Sequence, residues 1–231
     1  MITMDIIHED NHIIAINKRP GEIIQGDRTG DTPLSEEVKL FLKKKYHKPG
    51  NVFAGVIHRL DRPASGVVLF AKTSKALARM NELFRENKVV KEYWVIVKNA
   101  PASNQETIIH FLKKNSKQNK SYPVPEETRD AKKAITSYNL LASSDKYHLL
   151  EVRIETGRHH QIRSQLAAIG CPVKGDLKYG FSRSNDNGSI CLHARKVGFV
   201  HPVKKERIEI SAPPPNNKLW NYFSDLLTHN K

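Results

Sequence analysis

VFAGVIHRLDRPASGVVLFAK, residues 52–72, sets two apolar runs on either side of a short charged segment. VFAGVI and GVVLFAK are rich in β-branched and aromatic residues and read as strands, which makes HRLDRPAS the connection between them. A loop carried on two buried strands is the usual place for a functional side chain on a rigid frame. This loop sets one carboxylate, Asp61, among His58, Arg59 and Arg62, in a chain where 38 Lys and Arg outnumber 24 Asp and Glu to give a formal charge of +14.

Working outward, MDIIH and IIAINK flank the turn-like EDNH and predict a hairpin closed by Pro20-Gly21. Thr32 and Pro33 read as the cap and first residue of a helix ending near Tyr46, with Leu34, Val38, Phe41 and Leu42 on one face. Lys43, Lys44 and Lys45 fall in its last turn, where the helix dipole favours cations. After the quoted segment, Thr73 or Ser74 caps a helix whose Leu77, Met80, Leu83 and Phe84 recur at helical spacing. VVKEYWVIVK and ETIIHFL are further strands, and the polar stretch from Lys113 to Arg129 reads as a mobile basic loop. AITSYNLL and YHLLEVRIET lead through Gly157 into a helix carrying HHQIRSQLAAIG, stopped at Gly170 and Pro172. SICLHARKVGFV and RIEI are strands, and NKLWNYFSDLL is an amphipathic C-terminal helix. Strands in succession with only occasional helices predict an α+β protein with a large, mostly antiparallel sheet.

The excess of cations favours a polyanionic partner, above all nucleic acid. Cys171 and Cys191 lack the spacing of a zinc or redox pair and read as buried free thiols of a reducing compartment. No signal peptide and no membrane-spanning run is legible, so cytoplasmic residence is expected.

If Arg59 and Arg62 fold near Asp61, their guanidinium groups favour its ionised form. Such a carboxylate is a poor general acid but remains a nucleophile or an electrostatic stabiliser; an ion pair that merely fixes the turn reads the same residues. In ETGRHHQIRSQL, residues 155–166, a helix beginning near His159 places Arg158, His159 and His160 at its N-terminus, a phosphate cradle, and Arg163 a turn further along. Adjacent histidines invite a metal, but no third ligand or HExxH spacing accompanies them. Tyr93 and Trp94 alternate across a strand, so the rings face opposite ways; core packing accounts for either ring, and stacking on a base is the alternative for one of them.

Taken in order, NKRPG at 17, HRLDRPASG at 58, KEYWVIV at 91, TGRHHQIRSQLAAIGCPVKGDLKYG at 156 and LHARKVGFVHP at 192 resemble the RluA family of pseudouridine synthases. The resemblance runs from about residue 5 to the APPP near 213. It implies isomerisation of uridine to pseudouridine in ribosomal or transfer RNA, on a mixed, mostly antiparallel central sheet with flanking helices and loops, without cofactor or metal. It implies further that Asp61 is the essential aspartate, Tyr93 the stacking and proton-handling tyrosine, Arg163 the arginine paired with the aspartate, and Arg59 the side chain that keeps the flipped nucleotide's place. Arg62, His58, Arg158, His160 and Lys91 complete the RNA-binding set. One catalytic domain spanning residues 1–231, no N-terminal S4 domain and a monomer are expected.

The sequence departs from the family pattern at Ala64, where Thr is usual, with Pro63 beside it. The lost hydroxyl is worth one local hydrogen bond, on the order of 1 kcal/mol. Two other readings keep the same residues: an inactive RNA-binding or ribosome-assembly protein, whose mark would be a lost aspartate, and a ribonuclease using His58, His160 and Lys91, whose mark would be shortened RNA.

Overall fold

The computed structural model describes residues 4–27 and 29–229. In chain order its elements are β1 (Ile6–Glu9), β2 (Ile13–Lys18), α1 (Leu34–Lys45), β3 (Gly55–Val56), β4 (Ser65–Ala71), α2 (Ser74–Arg85), β5 (Val90–Val97), β6 (Gln105–Asn115), β7 (Lys120–Val124), β8 (Lys132–Ser143), β9 (His148–Ile154), α3 (Gln161–Ala168), a 3-10 turn (Leu177–Tyr179), β10 (Leu192–Val200), β11 (Arg207–Ser211) and α4 (Lys218–His229). The chain forms two compact units, Met1–Val89 with Ala194–Pro213, and Val90–His193 with Pro214–Lys231.

In the first unit, β1 and β2 form the predicted hairpin, with the Asp10 carboxylate accepting the His12 and Ile13 N–H groups at 2.7 and 2.8 Å. β2 pairs antiparallel with β4, and β3 pairs with β4 at Gly55–Ala71 and Val56–Phe70. Strand periodicity then divides the apolar runs. Ile13, Ala15, Val67, Leu69 and Ala71 pack with Ala76 and Met80 of α2, while Ile14, Ile16, Val68 and Phe70 pack with Leu34, Val38 and Leu42 of α1. Burial on both faces is the reason IIAI and VVLFA run without polar interruption.

Two boundaries differ from the sequence reading. α1 begins at Leu34 with extended Pro33 as its cap, because the carbonyls of Ile23 and Ile24 accept the Leu34 and Ser35 N–H groups and no Thr32 hydroxyl is needed. The strand expected over VFAGVI is only Gly55–Val56, with Phe53 42% exposed. Thr73 caps α2 as expected, its side chain accepting from Ala76 N at 3.1 Å.

The last turn of α1 is tied down by more than the helix dipole. Lys45 and Lys72 donate to Glu9 at 2.6 and 2.7 Å, and the Tyr46 hydroxyl donates at 2.5 Å. Burial alone would raise the Glu9 carboxyl, but these bonds outweigh it and bring the pKa down from 4.5 to about 2. The group therefore stabilises the fold above its unfolded pKa, and the contribution is lost as pH falls through the folded value. Glu9→Gln is expected to cost roughly 3 kcal/mol at neutral pH. Urea melts of the two proteins should differ at pH 7 and draw together between about pH 4.5 and 2; a gap that ignores pH would remove the ion network from the account.

In the second unit the strand order is β5-β9-β8-β6-β7, with every neighbouring pair antiparallel. Trp94, Ile96 and Leu149 pack with Trp220 and Phe223 of α4. Tyr93, one residue out of phase with Trp94, faces the other side, in register with Val152, which is itself opposite Tyr138. Thr136 on that face bonds Gln165 of α3 at 2.7 Å, so Tyr93 shares its sheet face with α3.

The stretch from Lys113 to Arg129 is not one loop. β6 continues to Asn115, and β7 returns antiparallel to it from Asn115–Lys120 to Phe111–Val124. Its polar composition hid the strand because the residue that anchors it is Ser121, buried and accepted through its N–H by the Tyr179 hydroxyl at 2.8 Å. α3 begins at Gln161, two residues later than expected, and follows a left-handed turn at His160 (φ 51°).

Candidate active site

The first unit supplies the loop that carries Asp61. Its ends are pinned by backbone: Ala64 N donates to Asp61 O at 3.0 Å and Gly21 N to Arg62 O at 2.8 Å. Beneath it lies Lys18, 1% exposed, whose Nζ donates to the carbonyls of Arg19 and Arg62 at 3.0 Å and of Ala64 at 2.7 Å. Burial pushes this ammonium down to about 8, against the pull of the Glu22 and Asp61 carboxylates. Ala64, the departure from the family pattern, thus works through its backbone N–H and C=O, and no hydroxyl is required for either bond. His58 holds the other end of the loop. Its Nε2 accepts from Leu69 N at 3.2 Å, and its ring stacks on Phe84 with centroids 5.2 Å apart.

Asp61 itself is half-buried and Arg59 exposed. Arg62 donates to Asp31 at 2.6 Å. Lys18 is a buried cation under the Asp61 loop, at the end of an apolar strand, where its carbonyl partners leave no mark in the sequence.

The second unit supplies Tyr93, Arg163 and their surroundings. Arg163 is 4% exposed and meets Asp176, 1% exposed, through a fork: Nε to Oδ2 at 2.6 Å and Nη2 to Oδ1 at 2.8 Å. Its guanidinium lies 5.1 Å from the centroid of the Tyr179 ring. α3 is buried along most of its length because each polar side chain is bonded. Gln161 donates to Ile135 O and Thr136 Oγ1, Gln165 to Ile108 O and Ala134 O, and Ser164 to Ser121 O.

The two adjacent histidines stack with centroids 3.8 Å apart. His159 bonds Ser121 Oγ and Asn119 Oδ1, and His160 Nδ1 lies 3.0 Å from the Tyr179 hydroxyl. Among the described residues no group of three or more His, Cys, Asp or Glu is gathered for a metal ion. Arg158 is exposed and donates to Lys133 O at 2.9 Å, and burial pushes the Lys91 ammonium down. Cys171 and Cys191 are free and buried, and burial raises both thiols. No described helix is long and apolar enough to cross a membrane.

A family model described as RNA pseudouridylate synthase matches residues 12–168, a span that includes Lys18, the Asp61 loop, Tyr93 and Arg163. The chain belongs to the RluA family of RNA pseudouridine synthases. Among relatives of this synthase, the tRNA pseudouridine synthase C of Haemophilus ducreyi is 32% identical over 227 residues, covering 90% of each chain. The ribosomal large subunit pseudouridine synthase D of Zymomonas mobilis is 28% identical over 240 residues, covering all of this chain and 75% of its own. In fold the synthase is similar to human RNA Pseudouridylate Synthase Domain Containing 4, with a TM-score of 0.78 at 23% identity over 97% of this chain and 93% of that one.

Several residues that hold these two clusters in place carried no assigned role in the sequence reading: Lys18, Gln161, Gln165, Asp176 and Tyr179. Lys18 lies in NKRPG, and Asp176 and Tyr179 lie in GDLKYG, so the motifs were visible. Membership in these motifs was the signal available, since the burial of Lys18, Gln161 and Gln165 is not written in the sequence.

Proposed function

We propose that the chain isomerises uridine to pseudouridine in structured ribosomal or transfer RNA, with Asp61 as the reacting carboxylate. The observation that carries this reading is the half-exposed Asp61 on a loop whose backbone is fixed from below by the buried Lys18 and at its start by His58. A loop fixed through its backbone holds the carboxylate's position steady.

A uridine inside folded RNA must be extruded before its glycosidic bond is accessible, at a cost of a few kcal/mol. In this proposal Arg59 fills the vacated place and the Tyr93 ring stacks on the extruded base, an interaction worth about 1 to 3 kcal/mol. Arg62, Arg158, His160 and Lys91 contact the surrounding RNA, and salt weakens binding as counterions are released. His58 contributes to RNA contact through the loop it holds. In the reaction the N1–C1′ bond breaks, the uracil turns, a C5–C1′ bond forms, the C5 hydrogen leaves as a proton and N1 takes one up. Mass does not change. The carboxylate attacks the sugar, attacks the base or draws a ribose proton, and each route needs its anion. In this proposal Arg163 serves the reacting carboxylate as its guanidinium partner, a role that a planar guanidinium fills better than an ammonium. The charge of the chain and the RNA substrates named for its relatives fit a cytoplasmic location, and the reading takes the chain as a monomer and one catalytic domain that works without a cofactor.

The test is carbodiimide primer extension on total RNA from cells with and without the gene. The proposal expects at least one stop in ribosomal or transfer RNA that disappears with the gene and returns with the wild-type chain. Identical maps would refute it.

A further inference from the structure

The fork between Arg163 and Asp176 is more elaborate than stability requires. A buried ion pair is commonly neutral for stability against apolar residues of the same size, so its geometry points to orientation. Asp176 takes Nε–H and one Nη2–H of Arg163 side-on. The guanidinium plane is thereby fixed, and its Nη1 edge is directed away from the carboxylate.

Both partners are themselves held. Asp176 follows Gly175, at φ +86°, where an added Cβ would come within 2.7 Å of Ser189 O and 2.8 Å of Asn185 Nδ2. The Asp176 carbonyl accepts from Tyr179 N at 3.1 Å and Phe181 N at 3.0 Å. The Tyr179 ring sits against the guanidinium, and its hydroxyl accepts from Ser121 N and lies 3.0 Å from His160 Nδ1. Ring and carboxylate thus approach one cation from two directions, each fixed by backbone.

We propose that Asp176 and Tyr179 are positioning residues for the isomerisation, holding the Arg163 guanidinium in one orientation and acting on the reaction only through it. The inference rests on the reading that Arg163 serves the reaction. Misplacing a catalytic group by about 1 Å costs on the order of 100-fold in rate. Asp176→Asn removes the charge and half of the fork while keeping the shape. Tyr179→Leu removes the ring, whereas Tyr179→Phe keeps it.

The experiment is a double-mutant cycle on the full chain, read as the single-turnover release of tritium from C5-labelled uridine in saturating RNA, with RNA affinity and melting temperature measured alongside. Asp176→Asn is expected to slow release on the order of 100-fold with RNA affinity unchanged within a few-fold. Tyr179→Leu should lose about tenfold and Tyr179→Phe distinctly less. In an Arg163→Met background, Asp176→Asn should cost nothing further, because the group through which it acts is gone. A full rate in Asp176→Asn, or an equal loss with and without Arg163, overturns the inference while the reading of Arg163 stands. Should Asp176→Asn not fold, the Tyr179 pair decides alone: equal losses in Leu and Phe overturn the role of the ring. A full rate in Arg163→Met overturns the underlying reading, and the inference with it.

Discussion

Asp61→Asn is expected to abolish pseudouridine formation, by more than about 10⁴-fold in single-turnover rate, with RNA affinity retained within a few-fold. The asparagine has the same shape, and the backbone bonds that pin the loop remain. Lys18 donates to the carbonyls of Arg62 and Ala64, Ala64 N to the Asp61 carbonyl, and Leu69 N to His58. What is lost is the anion, which each route through the glycosidic bond requires. Removing a negative charge beside RNA does not weaken attraction to phosphate. Binding and turnover should therefore separate, with filter binding near wild type and tritium release at background. Turnover retained in the purified variant would assign the chemistry elsewhere.

Gly66→Ala should act on the fold instead. Gly66 lies where the loop enters β4, with φ +113°, a conformation L side chains rarely adopt. An added Cβ would fall 2.6 Å from Ala194 N and clash with the Ala194 carbonyl oxygen, both backbone atoms of the same unit. On its other strand neighbour Gly66 is in register with Lys18, the cation beneath the Asp61 loop. The backbone can yield in neither respect without moving β4, so the expected cost is about 4 kcal/mol or more. For a chain of this length that lowers the melting temperature by roughly 8 to 16 °C. Circular dichroism melts check it, and a melting temperature within 2 °C of wild type, on this scale about 0.5 to 1 kcal/mol, would contradict the packing described here.

The apolar frame of the first unit was legible because its strands are buried on both faces, which leaves continuous runs such as IIAI and VVLFA. Asp61 was legible for the same reason, as the charged interruption between two such runs. The helix α3 was read correctly in kind but not in character. Gln161, Ser164 and Gln165 look like a solvated face, yet they are buried because their partners come from β6, β7 and β8, far away in sequence. The strand β7 was missed for a related reason, since a half-polar edge strand has no apolar period to show. Lys18 was the least legible. Its partners are carbonyl oxygens, which every residue possesses, and nothing in IIAINK distinguishes a buried ammonium from one that reaches solvent.

The central claim is that a carboxylate at position 61 moves the glycosidic bond of uridine from N1 to C5. It is tested most directly by incubating the purified chain with RNA labelled by tritium at C5 of uridine, counting released label and measuring RNA length in the same sample. The account predicts tritium released in step with pseudouridine formed, no shortening of the RNA, and no release by Asp61→Asn. Label retained on full-length RNA, or RNA cleaved without pseudouridine, would contradict it.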